Sequence, residues 1–250
     1  MKVIYKKPES ITDNTTIYCP GCGHGIVHKI IAEVIDQLDI REKTISIAPV
    51  GCAVLSYNYF NFDVTEAAHG RCPAVATAIK RVFPDRIVFT YQGDGDLAAI
   101  GTAEIIHCAA RGENITVIFI NNAVYGMTKG QMAPTTLPGQ KTTTTPYGRD
   151  TSYHGYPIRM CELLSTLDGP SYIERTTIEN VPEIIKTKRA IQKAFTYQVE
   201  NKGFSFVEVL STCPTNWKMT PSEAMKWVGD TMKKYFIPGV YKDKYNKGET

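Results

Sequence analysis

The segment "RIVFTYQGDG", residues 86–95, is the part of the chain that most directly indicates the fold. It begins with β-branched and aromatic residues, which is typical of a buried strand, and it ends in a turn with two glycines. The pattern G-x-G-x-x-A then leads into residues with helical spacing. A strand, a glycine-rich turn and a helix in this order predict one unit of a parallel α/β sheet.

The sequence on either side continues this alternation. We predict strands in residues 43–51, 86–95, 114–122, 171–178 and 204–214, and helices over residues 25–38, 71–83, 96–112, 181–200 and 221–236. Strands separated by helix-length segments pair in parallel through helical crossovers. The fold class predicted is therefore α/β, a three-layer α/β/α arrangement with a mostly parallel sheet, and residues 1–250 are expected to form a single domain with a C-terminal helical tail.

Composition and charge exclude several classes of protein. The net charge is +3, from 28 basic and 25 acidic residues, and the basic residues are dispersed, so no nucleic-acid partner is expected. No apolar run has the length of a membrane span, and "MKVIYKKPES" is not a signal peptide, so we expect a cytoplasmic protein with no membrane partner. The basic tail, residues 241–250, is interpreted as a solvated end.

Seven cysteines in a chain without a secretion signal make disulfides unexpected. Cys72, Cys108 and Cys161 lie in apolar or helix-like stretches and are expected to pack as small hydrophobic side chains. The other four, Cys19, Cys22, Cys52 and Cys213, lie in turns or at strand ends.

Polar or cysteine-bearing segments follow four of the predicted strands. They are residues 49–52, 93–96, 121–122 and 212–214. Ligands of parallel α/β sheets bind beyond the carboxyl ends of the strands. The sequence therefore predicts one binding site at this edge of the sheet.

The turn after the second of these strands is shaped for phosphate but carries Asp94 and Asp96. Two like charges in contact repel by about 1 kcal/mol in water and about 4 kcal/mol near a protein surface. A divalent cation between carboxylate and phosphate reverses that sign, and Mg²⁺ usually takes one or two carboxylates together with substrate phosphates. Asp94 is thus a candidate ligand, with Asn122 offering an amide oxygen. The alternative is a tight turn whose aspartate caps the next helix, a role that Asp96 suits.

The four remaining cysteines form a candidate metal site. Four thiolates are the ligand set of a [4Fe–4S] cluster. "CPGCG" also resembles a zinc knuckle, although a zinc ribbon usually brings a second C-x-x-C, which this sequence lacks. The residues alone leave iron–sulfur and zinc open.

A family resemblance rests on these residues. G-D-G followed by an asparagine pair resembles the motif of thiamine diphosphate enzymes, and the resemblance implies that Asp94, Asn122 and the carbonyl of Val124 hold Mg²⁺. With "CPGCGHG", "APVGC", "HGR", "YQGDGD", "NNAVYGMTKGQ", "TPYGRD" and "LSTCPTNW", the chain resembles the β subunit of 2-oxoacid:ferredoxin oxidoreductases essentially end to end. This implies a thiamine diphosphate-binding fold and a [4Fe–4S] cluster on Cys19, Cys22, Cys52 and Cys213, the first two in an N-terminal cluster-binding segment.

The resemblance implies an activity and a set of partners. The activity is oxidative decarboxylation of a 2-oxoacid to acyl-coenzyme A and CO₂, with electrons passing through the cluster to ferredoxin; zinc lacks the redox chemistry for this. The partners are an α subunit that supplies a glutamate to the cofactor, γ and ferredoxin-like δ subunits or domains, and coenzyme A. We expect the chain alone to be inactive. The alternatives are a non-oxidative thiamine diphosphate-dependent decarboxylase subunit with structural zinc, and a non-catalytic dinucleotide- or metal-binding module.

Individual site residues follow from the same motifs. The predicted cofactor contacts are Gly51, Cys52, His69, Gly93, Asp94, Gly95, Asp96, Asn122, Val124, Tyr125 and Gly126. His69 and Arg71 are candidate catalytic residues, with a helix-start ion pair as the alternative for Arg71, whereas His24 and His28 are expected on a helix face.

Substrate choice is predicted from three residues. Leu55 and Met127 are candidate substrate contacts in relatives, and their apolar character favours a branched-chain acid such as 2-oxoisovalerate. Lys129 keeps 2-oxoglutarate open, because a cation there could pair with a distal carboxylate or meet coenzyme A, and pyruvate is a further alternative.

Overall fold

In the computed structural model, which describes residues 5–246, one seven-stranded sheet organises the chain. The strands are β1 (Thr44–Ala48), β2 (Asp63–Glu66), β3 (Ile87–Gly93), β4 (Thr116–Asn121), β5 (Tyr172–Thr177), β6 (Ser205–Leu210) and β7 (Gly239–Asp243). Their spatial order is β2-β1-β3-β4-β6-β5-β7. Every neighbouring pair is parallel except β5 and β7. The predicted, mostly parallel sheet is confirmed.

The helices lie before the first strand, between successive strands or after the last parallel one. They are α1 (Gly23–Gln37), α2 (Ser56–Tyr59), α3 (Cys72–Val82), α4 (Thr102–Ala110), α5 (Thr151–His154), α6 (Met160–Ser165), α7 (Val181–Val199), α8 (Pro214–Trp217), α9 (Pro221–Trp227) and α10 (Lys233–Tyr235). The longest, α7, begins where the Asn180 side chain accepts a hydrogen bond from the Glu183 amide. A capping box between Thr220 and Glu223 starts α9 in the same way.

The sheet has helices on both faces, which confirms the three-layer architecture. Successive strand residues point to opposite faces, so Phe89 and Ile118 pack against α1 and α7, whereas Val88 and Val117 pack against α3, α4 and α6. Near-continuous apolar strands are what a sheet covered on both faces requires. Cys72, Cys108 and Cys161 are buried in the second of these cores, as predicted.

Two predicted helices are interrupted. Residues 96–112 form a π-helical segment, Gly95–Ile100, and then α4, with Gly101 between them. A Cβ at Gly101 would lie 2.4 Å from the Asp96 carbonyl oxygen, so only glycine allows this close approach. Residues 221–236 likewise contain α9, the π-helical segment Val228–Met232 and α10.

Two edge strands were not predicted. β2 carries acidic and threonine residues and is half-exposed, so it lacks the apolar run of a buried strand. β7 is an antiparallel edge strand whose residues 241–243 are half-buried, so the prediction of a wholly solvated tail is wrong for that part. The end of that tail, residues 247–250, lies outside the described residues.

None of the helices between residues 5 and 246 combines the length and the apolar character needed to cross a membrane. The C-terminal helices instead cover one end of the sheet. Leu210, at the end of β6, packs with Val228, Met232 and Phe236.

Candidate functional site

Four loops meet at the carboxyl edge of the sheet, where the sequence predicted a site. They follow β1, β3, β4 and β6, which are consecutive neighbours in the sheet. Two cavities lie among these loops. They share the wall residues Cys52, Asn122, Gly126 and Met127.

The first cavity, called here the acidic cavity, has a volume of about 280 Å³. Its lining contains all eleven predicted cofactor contacts, together with Met127 and with His24, Val50, Ala99, Ile100 and Thr128, which were not predicted. Pockets for drug-sized ligands are typically about 300–1,000 Å³, so this one is small for a bound coenzyme. The side chain of His69 is 42% exposed at its rim. The cavity is open on one side.

The Asn122 amide lies between two oxygen atoms on the floor of the acidic cavity. In one of its two orientations, its oxygen lies 2.8 Å from the carbonyl oxygen of Val124 and 3.3 Å from Asp94 Oδ2; in the other, its nitrogen takes that place and donates to both oxygens. Three acceptors without a proton between them repel one another unless the amide rotates or a cation lies among them. Oxygen ligands of octahedral Mg²⁺, each about 2.1 Å from the metal, lie about 3 Å apart. The donor set suits that ion.

Local structure brings these oxygens together. Asp94 follows the last residue of β3, and Asn122 follows the last residue of β4. Ala123 then takes a left-handed conformation, with φ of 58°, which turns the chain sharply before Val124. The side chain of Asn121 accepts a hydrogen bond from the Ala123 amide at 3.2 Å and supports this turn.

The two asparagines after β4 have different roles. Asn121 points away from the cavity and donates through Nδ2 to Glu208 Oε1 at 2.8 Å. The other carboxylate oxygen of Glu208 accepts from the buried Arg175 at 2.9 Å. Because a buried charge must be paired, this network holds Asn121 in place and leaves Asn122 to face the cavity.

Burial raises the pKa of Asp94 to about 7, partly offset by donors from Thr135 and the Gly95 backbone. Thr135 Oγ1 donates to Asp94 Oδ2 at 2.8 Å, and the Gly95 amide donates to Oδ1 at 3.0 Å. Asp94, rather than Asp96, therefore caps the following helical segment. A nearby cation would favour the charged carboxylate further.

Asp96 orders the opposite wall. Its Oδ1 accepts from His69 Nδ1 at 2.6 Å and from the amides of Gly70 and Val50 at 2.9 and 3.2 Å, and its Oδ2 accepts from Gln92 Nε2 at 2.6 Å. The capping alternative for Asp96 is thus wrong. Because a carboxylate only accepts, the proton of neutral His69 is on Nδ1, and Nε2 is then the unprotonated nitrogen.

Three predicted site residues lie outside the linings of both cavities. Arg71 pairs with Glu104 at 2.7 Å and donates to the Ile100 carbonyl at 3.2 Å, so its geometry is that of the helix-start ion pair. Leu55 immediately precedes α2 and is half-buried, and Lys129 is exposed. Only Met127, of the predicted substrate contacts, lines a cavity, and it is 53% exposed.

The second cavity, called here the cysteine cavity, has a volume of about 170 Å³ and contains all four predicted cysteine ligands. Burial raises the pKa of both Cys22 and Cys52 to about 12, and the neighbouring thiols contribute in the same direction. Among residues 5–246, no three His, Cys, Asp or Glu side chains are grouped closely enough to hold a single metal ion. Cys19, Cys22, Cys52 and Cys213 thus surround one space without meeting at one point.

The wall between the cavities is thin at Gly126. A Cβ at this position would lie 3.1 Å from Cys52 Sγ, 3.5 Å from Asn122 Nδ2 and 3.6 Å from Cys213 Sγ. The residue therefore touches both the oxygen set and the thiol set. Groups bound in the two cavities would be neighbours.

Three residues near the cavities were missed by sequence reasoning. His24 was expected on a helix face but lines the acidic cavity; burial lowers its pKa to about 4, and its Nδ1 lies 2.6 Å from the Tyr91 hydroxyl. Thr135 comes from the long loop after β4, and Asn216 lies one turn after Cys213. His24 and Asn216 lie inside the quoted motifs "CPGCGHG" and "LSTCPTNW", whereas Thr135 carried no local signal.

The comparisons with known proteins agree with this geometry. A family model described as thiamine pyrophosphate enzyme, C-terminal TPP binding domain, matches residues 49–209. The chain is 48% identical to the ketoisovalerate oxidoreductase subunit VorA of Methanothermobacter thermautotrophicus, over 97% of this chain and 53% of that protein. It is 38% identical to the 2-oxoglutarate synthase subunit KorB of Methanocaldococcus jannaschii, over 85% of this chain and 76% of that one.

A solved structure shows the same fold. It is a 2-oxoglutarate:ferredoxin oxidoreductase from Magnetococcus marinus with 2-oxoglutarate, coenzyme A and succinyl-CoA bound, and the match has a TM-score of 0.75 at 25% identity. The match covers 97% of this chain and 86% of the other. By contrast, the chain spans about half the length of the VorA relatives it matches.

Proposed function

Because the chain belongs to the thiamine pyrophosphate enzymes, and among them to the 2-oxoacid oxidoreductase subunits named VorA and KorB, we propose that it is the cofactor-binding subunit of a 2-oxoacid:ferredoxin oxidoreductase. The observation that carries this proposal is the shared wall. On one side of it are two oxygens, Asp94 Oδ2 and the Val124 carbonyl, and the Asn122 amide, which can rotate to present a third oxygen to Mg²⁺; on the other side four thiols surround a space.

The acidic cavity is proposed to hold thiamine diphosphate through Mg²⁺. Asp94 Oδ2, the Asn122 amide oxygen and the Val124 carbonyl would bind the metal, and the diphosphate would complete its ligands. Thr135 and the Gly95 amide orient the Asp94 carboxylate for this task. The bound cofactor supplies the electron sink for decarboxylation of a 2-oxoacid.

The cysteine cavity is proposed to hold a [4Fe–4S] cluster through Cys19, Cys22, Cys52 and Cys213. Tetrahedral zinc, about 2.3 Å from each sulfur, needs thiolates about 3.8 Å apart. The four thiols line one cavity, and four thiolates are the ligand set of a [4Fe–4S] cluster. Such a cluster supplies a one-electron acceptor beside the site of decarboxylation.

His69 is the proposed proton-handling residue. Its Nδ1–H is held by Asp96, so Nε2 is the unprotonated nitrogen and can hold or move a proton at the cavity rim. Fixing the tautomer through a buried carboxylate is how enzymes orient a catalytic imidazole. Arg71 is not included in this role, because it pairs with Glu104.

A partner is proposed to close the open side of the acidic cavity. Thiamine chemistry needs a carboxylate against the aminopyrimidine. The only carboxylates that line this cavity within the described residues are Asp94 and Asp96, and both have other hydrogen-bond partners. A glutamate from an α subunit is therefore proposed, with coenzyme A, ferredoxin and γ and δ components completing the reaction. Isolated, the chain should not turn over.

The proposed substrate is a branched-chain 2-oxoacid of the 2-oxoisovalerate type. Met127 contributes an apolar surface to the acidic cavity, and no lysine or arginine lines that cavity among residues 5–246. A distal carboxylate, as in 2-oxoglutarate, would lie there without a cation from this chain. The higher identity to the VorA relatives points the same way.

The test is made on the complex co-expressed and purified without air. We expect brown protein with iron and sulfide, Mg²⁺-dependent binding of thiamine diphosphate, and reduction of viologen that depends on a 2-oxoacid and coenzyme A. The kcat/KM for 2-oxoisovalerate should exceed that for 2-oxoglutarate. A colourless zinc protein, or binding of the cofactor without Mg²⁺ dependence, would contradict the proposal.

A further inference from the structure

Asn216 makes two hydrogen bonds at the wall between the cavities. Its Nδ2 lies 3.2 Å from Cys213 Sγ and 2.8 Å from the Gly126 carbonyl oxygen. The residue lines the cysteine cavity and lies in α8, the short helix that follows Cys213. One amide group thus contacts a candidate ligand sulfur and the wall segment shared with the acidic cavity.

The orientation of this amide follows from its surroundings. The Gly126 carbonyl only accepts, so the atom that faces it must be the donating nitrogen. Gly130, with φ of +84°, packs against the other side, and a Cβ there would lie 3.0 Å from Asn216 Cβ and 3.1 Å from its Oδ1. A larger residue at that position would push the amide away. The sulfur is therefore presented with an N–H, not with an oxygen.

We infer that Asn216 is a positioning residue that raises the reduction potential of the group held by the four cysteines, through its hydrogen bond to Cys213 Sγ. The inference rests on the proposed function, because it assumes an iron–sulfur cluster in the cysteine cavity. Asn216 lies in the quoted segment "LSTCPTNW", and its role is inferred from its contact with Cys213 Sγ.

The direction of the effect follows from electrostatics. On reduction, a cluster gains one electron, and part of the added charge resides on the cysteine sulfurs. A hydrogen bond to a charged acceptor is stronger than one to a neutral acceptor. The Asn216 N–H therefore stabilises the reduced state more than the oxidised state, and hydrogen bonds to sulfur are among the features that set cluster potentials.

The two hydrogen bonds together explain why an asparagine suits this position. The Nδ2 group has two hydrogens, so it can donate one hydrogen bond to the Gly126 carbonyl and another to Cys213 Sγ. A serine or threonine hydroxyl has only one hydrogen to donate. The same side chain thus fixes the distance between the wall and the cysteine sulfur.

The test uses the full chain purified without air, since the four cysteines belong to one polypeptide and no second cluster overlaps the signal. The variants are Asn216→Ala and Asn216→Leu, both neutral and without a donor, the second filling most of the vacated volume. The control is Asn58→Ala, an exposed asparagine of α2 with no side-chain hydrogen bond among the described residues. The readouts are iron content and the midpoint potential from an EPR-monitored redox titration.

We expect both Asn216 variants to retain iron and to be harder to reduce. The one-electron equilibrium should shift about 3- to 10-fold, or about 30–60 mV at 59 mV per tenfold. The control should match the wild type. An unchanged potential in iron-loaded variants would overturn the inference, as would loss of iron from both, since Asn216 would then assemble the cavity rather than tune its occupant. A wild-type chain without any cluster would refute the proposed function itself, and with it this inference.

Discussion

The acidic cavity and the cysteine cavity are built in different ways, although they share a wall. The oxygen set of the first comes from Asp94, Asn122 and Val124, which directly follow two neighbouring central strands. The thiols of the second come from residues 19–22 before α1, from residue 52 and from residue 213, which are far apart along the chain. Their exposure also differs: Asp94 is 3% exposed, whereas Cys19 is exposed.

This difference indicates how each site is maintained. The Asp94 carboxylate has hydrogen-bond donors on both oxygens, from Thr135 and Gly95, so it is held without a bound ion. The cysteines have one side-chain donor among them within the described residues, Asn216. We expect that the strand ends preorganise the acidic cavity, whereas the cysteine cavity would be held together by the cluster proposed for it.

The largest expected effect comes from Asp94→Asn, which keeps the shape of the side chain but removes its charge. Affinity for thiamine diphosphate in Mg²⁺ should fall by about 100-fold or more, since changes beyond the direct ligands of a metal already cost 10–100-fold. Iron content should stay at the wild-type level. Calorimetric titration and iron analysis of the complex measure both quantities.

The control for this change is Asp39→Asn, at an exposed position with φ of 53° that asparagine tolerates. It should bind the cofactor like the wild type. If the Asp94→Asn complex bound thiamine diphosphate with wild-type affinity, the Asp94 carboxylate would not be a ligand of the metal. The difference described between the two cavities would then be wrong.

The corresponding change in the cysteine cavity is Cys213→Ser. In the chain purified by itself, iron and brown colour should be lost almost completely, because the serine hydroxyl does not replace a thiolate ligand. In the complex, affinity for thiamine diphosphate should change less than about threefold, since the acidic cavity is preorganised. Visible absorption and calorimetry measure the two effects. Cys108→Ser, next to Thr77 in the core behind the sheet, should keep its iron. A Cys213→Ser complex that had lost both iron and cofactor binding would show that the two cavities form as one unit.

A smaller effect is expected at the rim of the acidic cavity. His69→Asn and Asp96→Asn should each lower kcat about 10- to 100-fold, at the lower end of what general acid–base catalysis contributes. The kcat of the double variant should be at most about threefold below that of either single variant, because Asp96 acts through His69. His107→Asn, on the exposed side of α4, is the control. Multiplicative losses in the double variant would show that the two residues act independently.

The smallest effect is expected from Gly126→Ala in the shared wall. The added Cβ would lie 3.1 Å from Cys52 Sγ, so the wall must shift by a few tenths of an ångström. Cofactor affinity should fall about 3- to 10-fold, or about 0.7–1.4 kcal/mol, and the EPR spectrum of the cluster should change at the same time. Gly25→Ala in α1, where an added Cβ meets nothing within 4 Å, should change neither. A change confined to one cavity would argue against a common wall.

Much of this architecture could be predicted from residue order alone. Apolar runs such as residues 114–122 mark strands that are buried on both faces, and the residues that follow them must lie at the carboxyl edge of a parallel sheet. That rule alone placed residues 93–96 and 121–122 in one site. The apolar-run pattern did not predict the edge strands, because β2 and β7 are half-exposed and carry charged residues without such a pattern.

The fine structure of the site depended on contacts between distant segments. Thr135 reaches Asp94 from a loop whose sequence looks unstructured, and that loop is held by Arg149, whose guanidinium donates to the carbonyls of Ala133, Pro134 and Thr136. Arg71 illustrates a different case, since its motif left a catalytic role and a helix-start ion pair open, and the structure shows the ion pair, with Glu104.

The sequence by itself determined the sheet, the edge at which a ligand binds and the residue types that serve it, because strand periodicity and strand-end position are local properties of the chain. Only the tertiary structure decided which oxygen of Asp94 faces Asn122, which aspartate holds His69 and which side chain reaches the sulfur of Cys213. These side chains are fixed by contacts between distant residues: His69 lies 27 positions from Asp96, Thr135 lies 41 from Asp94, and Asn216 lies 90 from the Gly126 carbonyl to which it also donates. Hydrogen bonds of that range depend on how the loops pack, which no local pattern encodes.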